Sequence, residues 1–297
     1  WENFHGSETY HSAIDEHIAY IRRFFPAEYR LKVVLDCAGA AASVITPLLL
    51  RQMGCELICL NCQPTGFFPH PVEPIAENLS ELMEQVRQAG ADLGIAHDGD
   101  ADRMMAVDGR GHFISGDKLL CLMAKELGAR QVVTTIDTSM TADQAGFTLT
   151  RTAVGDNAVC EALREGGDFG GEPSGAWIFP QSSLCPDGIF AAALAVATAS
   201  RNRLADLVDT IPEYPLYRGN FPGSGANLGL LEERLTSAYQ PASISRVDGL
   251  KFTLDDGWFL IRPSGTEPKV RLTIEATTQE RLGELKNQLV DIIKSCV

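Results

Sequence analysis

The segment Asp98-Gly99-Asp100-Ala101-Asp102-Arg103 sets carboxylates at i, i+2 and i+4 with small residues between them. Glycine and alanine spacers let the backbone curl, so three hard oxygens can converge on one divalent cation. Mg²⁺ takes octahedral oxygen coordination and keeps positions open for water or a phosphate oxygen. A trio of aspartates that leaves those positions free suits a metal that receives a phosphoryl group. A solvated acidic turn would use the same residue types. A calcium EF-hand also begins D-x-D-x-D, but its sixth position would be Gly and its twelfth Glu, where this chain has Arg103 and Gly109.

Two further segments carry the chemistry of ligand binding. Gly170-Gly171-Glu172-Pro173-Ser174-Gly175 puts one carboxylate and one hydroxyl inside a glycine turn. Glycine lets backbone approach a ligand closely, and Glu172 with Ser174 suits the hydroxyls of a sugar. Alone, the segment reads first as a structural turn. Arg262-Pro263-Ser264-Gly265-Thr266-Glu267-Pro268 is sharper. A guanidinium, two hydroxyls and a glycine-exposed run of backbone N–H groups are the parts of a phosphate cradle. Lys269 and Arg271 follow, on one face if the segment is a strand. No G-K-[ST] is present, so this is not a Walker A loop, and Gly39-Ala40-Ala41-Ala42 lacks the later glycines of a dinucleotide fingerprint.

The elements that must position these loops alternate between strand and helix. A helix is expected over 12–25, a strand over 31–36, a helix over about 42–53 and a buried strand over 55–60. A helix over 78–89 then leads to a strand over 92–96 that ends at the aspartate loop. Ligands in open α/β sheets gather at the carboxyl ends of strands, so the loop sits where chemistry is expected. A second unit begins near Ile114, with helices over 117–127 and 188–200 and a buried strand over 131–136. Pro212 to Pro222 reads as a linker, and strands near 243–248, 258–262 and 270–275 lie between helices over 231–238 and 279–295. The expected fold is two successive α/β mixed-sheet domains, 1–113 and 114–212, followed by a small α+β domain, 213–297.

Bulk properties narrow the function further. Lys plus Arg number 25 against 39 acidic residues, a net charge of −14, and such a field repels nucleic acid. An anionic substrate must therefore be held by a local pocket of donors. No apolar run is long enough for a membrane span, and the first residues lack the apolar stretch of a secretory signal. Cys55, Cys59 and Cys62 have the C-x3-C-x2-C spacing of an iron–sulfur ligand set. A strand would send them to different faces, so buried thiols in a reducing cytoplasm are the expectation. The chain starts at Trp1, which suggests a processed or incomplete polypeptide.

In this order and spacing the three loops resemble the α-D-phosphohexomutase superfamily, which includes phosphoglucomutase, phosphomannomutase and phosphoglucosamine mutase. The resemblance extends to Val33-Val34-Leu35-Asp36-Cys37-Ala38, Pro71-Val72-Glu73-Pro74, Gly116-Asp117-Lys118-Leu119 and Val154-Gly155-Asp156. It implies that Asp98, Asp100 and Asp102 bind Mg²⁺ and that Arg103 lies beside the reacting phosphate. It also implies that Glu172 and Ser174 hold sugar hydroxyls, and that Arg262, Ser264, Gly265 and Thr266 bind the phosphate that is not reacting. Family members interconvert hexose 1-phosphate and 6-phosphate by passing a phosphoryl group from a phosphoserine to the hexose phosphate. The hexose 1,6-bisphosphate formed then turns around and returns the other phosphoryl group.

The chain departs from the family pattern in one large respect: no T-A-S-H-N-P-like serine loop is found, and Ser7, Ser43 and Ser139 lack its flanking residues. The matched region begins at what would be the second domain. The expectation is therefore a mutase without its phosphoserine domain, with that domain as its natural partner and no turnover by the chain alone. Ala153 and Ala176 replace a basic residue and a histidine often present in the family, His97 replaces a phenylalanine, and Gly39-Ala40 replaces Asn-Gly. A non-catalytic phosphosugar-binding or regulatory relative is the alternative: Ala153 and Ala176 favour it, and the intact Asp98, Asp100 and Asp102 trio argues against it.

Overall fold

The computed structural model describes residues 8–222, 228–263 and 269–294. Among them the strands form three sheets. The chain divides into two compact units: residues up to Ile114 with Gly175–Trp177 and Asp187–Val208, and Ser115–Ser174 with Ile178–Pro186 and the residues from Asp209 on.

The first stretch runs α1 (Ala13–Arg22), β1 (Lys32–Asp36), α2 (Thr46–Gln52), β2 (Glu56–Leu60), α3 (Ser80–Ala89), β3 (Leu93–His97) and β4 (Met104–Asp108). Sheet order is β2-β1-β3-β4, with β1 parallel to both β2 and β3 and β4 antiparallel to β3. The apolar runs of β1 and β3 fit central strands covered on both faces. β2 does not behave as the buried strand expected: it is the sheet edge, so Glu56 and Cys59 are exposed. The helix expected over 42–53 is broken into a 3-10 turn, Ala41–Val44, and α2. Pro47 has no N–H to continue a helix, and it sits in the first turn of α2, where none is needed.

Next come α4 (Gly116–Leu127), β5 (Gln131–Thr135), β6 (Thr148–Thr152), α5 (Asp156–Glu165), β7 (Phe169–Gly171), β8 (Trp177–Phe179) and β9 (Ser183–Pro186). Their sheet has the order β6-β5-β7-β8-β9, with β5 parallel to β6 and β7. Ser115 caps α4, and Gly128 closes it in the left-handed region. α6 (Gly188–Arg201) begins where the Asp187 carboxylate accepts the Phe190 amide at 2.8 Å. It is apolar on every side, and Gly188 to Thr198 are all buried in the first unit. Phe190 there meets the rings of Phe24 and Phe25 edge-on, with centroids 5.2 and 5.1 Å away. α7 (Leu204–Asp209) follows.

The last stretch is β10 (Leu216–Pro222), α8 (Leu228–Tyr239), β11 (Ser243–Ser245), β12 (Leu250–Leu254), β13 (Gly257–Pro263), β14 (Lys269–Ala276) and α9 (Gln279–Lys294). The strands make an antiparallel sheet, β10-β14-β13-β12-β11. α8 and α9 bring Leu231, Leu235, Leu285 and Leu289 onto Phe252 and Phe259. The linker expected over 212–222 is thus largely a strand. Pro212 and Pro215 precede it and Pro222 ends it, on an edge where a missing N–H is tolerated. The architecture is the expected one, α/β mixed sheets followed by an α+β domain. No helix among the described residues is long and apolar enough to cross a membrane.

Candidate functional site

In the first unit, the loop between β3 and β4 brings Asp98, Asp100 and Asp102 together, with one ligand oxygen from each lying within 4.8 Å of the others. Asp98 is buried, Asp102 half-buried and Asp100 exposed. Ala101 takes a left-handed conformation with φ 66°, which curls the loop. Arg103 donates its amide to Asp98 Oδ1 at 3.2 Å, and its Nε lies 3.6 Å from Asp98 Oδ2 and 3.9 Å from Asp102 Oδ1. Burial, with further repulsion from Asp102 and Asp100, pushes Asp98 up to about 7. An all-carboxylate donor set of this spacing fits a hard divalent cation, whose charge would offset the crowding.

The loop is braced from several sides of the same unit. Ala41 donates its amide to the Gly99 carbonyl at 3.2 Å, and the Trp177 indole donates to the Met104 carbonyl at 2.7 Å. Gly188 lies directly against the carbonyl oxygens of Ala101 and Arg103, where any Cβ would overlap them. His97 is fully buried, with Nδ1 3.0 Å from the Arg103 carbonyl and Nε2 3.3 Å from Thr46 Oγ1. Burial depresses it to about 4, so it is a neutral strut at physiological pH.

In the second unit, Glu172 and Ser174 follow β7 in a turn. Glu172 Oε1 accepts the Gly155 amide at 2.9 Å, which orients the carboxylate, and Ser174 is exposed. Gly116 lies so close to the Pro173 carbonyl that a side chain there would displace the turn. Arg262, next to last in β13, donates from one guanidinium nitrogen to Asp248 Oδ2 at 2.9 Å. It lines a cavity of about 340 Å³ together with Arg218, Asn220, Lys269, Arg271 and Asp137. Lys269 and Arg271 do share a face of β14, as strand alternation requires. Arg218 and Asn220 escape a reading of the sequence because prolines make their strand look like a linker; the alternation of Arg218 and Asn220 with the core-facing Tyr217 and Phe221 is the available signal. Ser264, Gly265 and Thr266 lie outside the described residues, as does Ser7.

Ser139 is a structural donor: its hydroxyl bonds the Glu275 carboxylate and its amide donates to Asp117 Oδ1 at 2.7 Å. Glu275 also accepts the Trp258 indole at 2.5 Å. Burial pushes Asp117 up to about 6. Lys251 donates to the Ile136 carbonyl at 2.7 Å and lies 3.8 Å from the Trp258 ring centroid. Burial, then the charge of Arg151, depresses it to about 7.

Sequence profiles of the phosphoglucomutase/phosphomannomutase domains match the chain in order: α/β/α domain II over 8–111, α/β/α domain III over 115–214 and the C-terminal domain over 225–292. A probable phosphoglucosamine mutase of Methanocella arvoryzae is 47% identical over 305 residues, covering 100% of this chain and 69% of that protein. A phosphoglucomutase/phosphomannomutase family protein from Burkholderia thailandensis superposes with a TM-score of 0.85 at 25% identity, over 97% of this chain and 65% of its own. An Aspergillus fumigatus N-acetylphosphoglucosamine mutase, solved with GlcNAc-6P and magnesium, shares the fold with a TM-score of 0.68 at 14% identity, covering 95% and 64%. The chain thus spans about two thirds of the length of the proteins it matches. With all three domain profiles matched in order around the aspartate loop, the chain belongs to the phosphoglucomutase/phosphomannomutase superfamily.

Proposed function

We propose that this chain is the metal-, sugar- and phosphate-binding part of a hexose-phosphate mutase, organised as domains 1–113, 114–212 and 213–297, and that its substrate is a glucosamine phosphate. The convergence of Asp98, Asp100 and Asp102 carries this reading, because a pure sugar binder has no use for three crowded carboxylates. The name of the Methanocella relative supports the aminosugar over the mannose or glucose phosphates that the resemblance equally allowed.

Asp98, Asp100 and Asp102 would hold Mg²⁺, which supplies charge neutralisation for a transferring phosphoryl group. Arg103 adds a fixed positive charge beside the same loop. Glu172, oriented by the Gly155 amide, accepts from sugar hydroxyls, and Ser174 supplies a further donor or acceptor. Arg262, with Ser264, Gly265 and Thr266 after it, binds the phosphate that is not reacting. Hexose 1,6-bisphosphate is the intermediate of the whole enzyme.

Calorimetric titration with glucosamine 6-phosphate, mannose 6-phosphate and inorganic phosphate, each with Mg²⁺, tests the reading. Binding of the aminosugar phosphate at least several-fold tighter than of the other two is expected. Absence of heat with any hexose phosphate would overturn the assignment, and equal affinity for all would remove the aminosugar part of it.

A further inference from the structure

Seven free cysteines are described, and two of them meet where the sequence keeps them 25 positions apart: the sulphurs of Cys37 and Cys62 are 3.5 Å from each other. Cys37 follows the last residue of β1 and Cys62 lies just past β2, neighbouring parallel strands that pair Asp36 with Leu60. Parallel neighbours run about 4.8 Å apart, within the range over which a disulfide spans two backbones. The chain bends sharply to aim both side chains. Ala38 and Asn61 take left-handed conformations, with φ 52° and 51°, and Gly39 donates to the Asn61 carbonyl at 2.7 Å. Two non-glycine residues in that region beside one thiol pair mark a built arrangement. Cys62 is further held by contacts of its sulphur with the Leu60 carbonyl at 3.2 Å and the Leu35 carbonyl at 3.5 Å.

The pair is also reachable from one side. Cys37 is fully buried, whereas Cys62 is half-buried and lines a cavity of about 630 Å³ with Cys59 and Arg51, a cavity whose lining includes none of the aspartate-loop residues. Hydrogen bonding to Cys37 lowers the Cys62 thiol, and the same bond together with burial raises Cys37. Cys62 is the sulphur of the pair that lines the cavity, and Cys37 is its buried partner. A metal site is disfavoured: Cys37, Cys59 and Cys62 do not converge, since among the described residues only the aspartate trio groups three ligand atoms within 4.8 Å.

We propose that Cys37 and Cys62 form a reversible disulfide in response to a peroxide-class oxidant that enters through the Cys59-lined cavity. The Cys62 thiolate attacks one peroxide oxygen, the O–O bond breaks, and Cys62 becomes a sulfenic acid as hydroxide leaves. Cys37 then attacks the Cys62 sulphur, loses its proton, and displaces the sulfenic oxygen as water. In sum, two thiols and one hydrogen peroxide give one disulfide and two waters.

The test is to treat the full chain with hydrogen peroxide, block remaining thiols with N-ethylmaleimide, and map peptides by mass spectrometry. The expected result is a Cys37–Cys62 cross-linked peptide, a mass loss of two hydrogens and recovery of both thiols with dithiothreitol. Cys62→Ser should abolish the link and Cys59→Ser should keep it; the wild-type map decides the matter even if either variant fails to fold. A Cys59–Cys62 link in place of the proposed one, or Cys62 carried to sulfinic acid with Cys37 still alkylated, would overturn the proposal. Neither result depends on the mutase reading.

Discussion

Arg262 and Val154 share one carboxylate oxygen: Asp248 Oδ2 accepts from the guanidinium at 2.9 Å and from the Val154 amide at 3.1 Å. A guanidinium has five N–H donors, so pinning one nitrogen orients the fork without exhausting it. Arg262→Ala should weaken hexose 6-phosphate binding by roughly ten- to a hundredfold, the worth of a charge-assisted hydrogen bond. Arg262→Lys, which keeps a point charge and loses the fork, should fall between. Titration calorimetry separates the three proteins, and an unchanged Kd for the alanine variant would remove Arg262 from the site.

Crowding of the aspartates has a cost that a cation offsets. Asp98→Asn keeps an acceptor for the Arg103 amide but removes one of three charges gathered within 4.8 Å. The metal-free variant should be more stable than the metal-free wild type by about 1 kcal/mol. The wild type should gain about 2.7 kcal/mol with Mg²⁺ at a hundredfold excess over Kd, and the variant almost nothing. Thermal melts with and without Mg²⁺ read both effects; a variant that still responds to the metal would count against the aspartate site.

Lys251 gives the fold a pH dependence of known sign. Its value in the folded chain, about 7, lies below its ordinary 10.5. Between those values the unfolded chain binds a proton that the folded one does not, so stability rises with pH by up to about 1.4 kcal/mol per unit from this group. Below pH 7 both states are protonated and the contribution is flat. Lys251→Met should remove the dependence, and the gap between variant and wild type should shift in favour of the wild type from pH 7 to 9. Urea unfolding at the two pH values measures it; a gap that does not change would show that Lys251 stays charged.

The parts of the fold that could be read from residues were those governed by local pattern. β3 ends at the aspartate loop as its apolar run required, and α6 occupies nearly the span expected from its alanine-rich stretch. What escaped depended on pairing. β10 looked like a linker because prolines flank it, and only its partner β14 makes it a strand. That error hid Arg218. β2 was read as buried because Leu57, Ile58 and Leu60 are apolar, but burial of a strand follows from its neighbours, and β2 has one on a single side. The C-x3-C-x2-C spacing drew attention to Cys55 and Cys59, whereas the thiol that meets Cys62 comes from the end of β1. Strand register and two left-handed turns decide that contact, and neither leaves a mark in residue spacing.

The placement of Lys251 over the Trp258 ring also makes the protein its own indicator. An ammonium against an indole face perturbs its electron cloud, and a neutral amine does so far less. As Lys251 releases its proton near pH 7, the emission of Trp258 should change with it. With Trp1 and Trp177 replaced by phenylalanine, a single cuvette and a pH titration would report the charge of one buried side chain, with no label added.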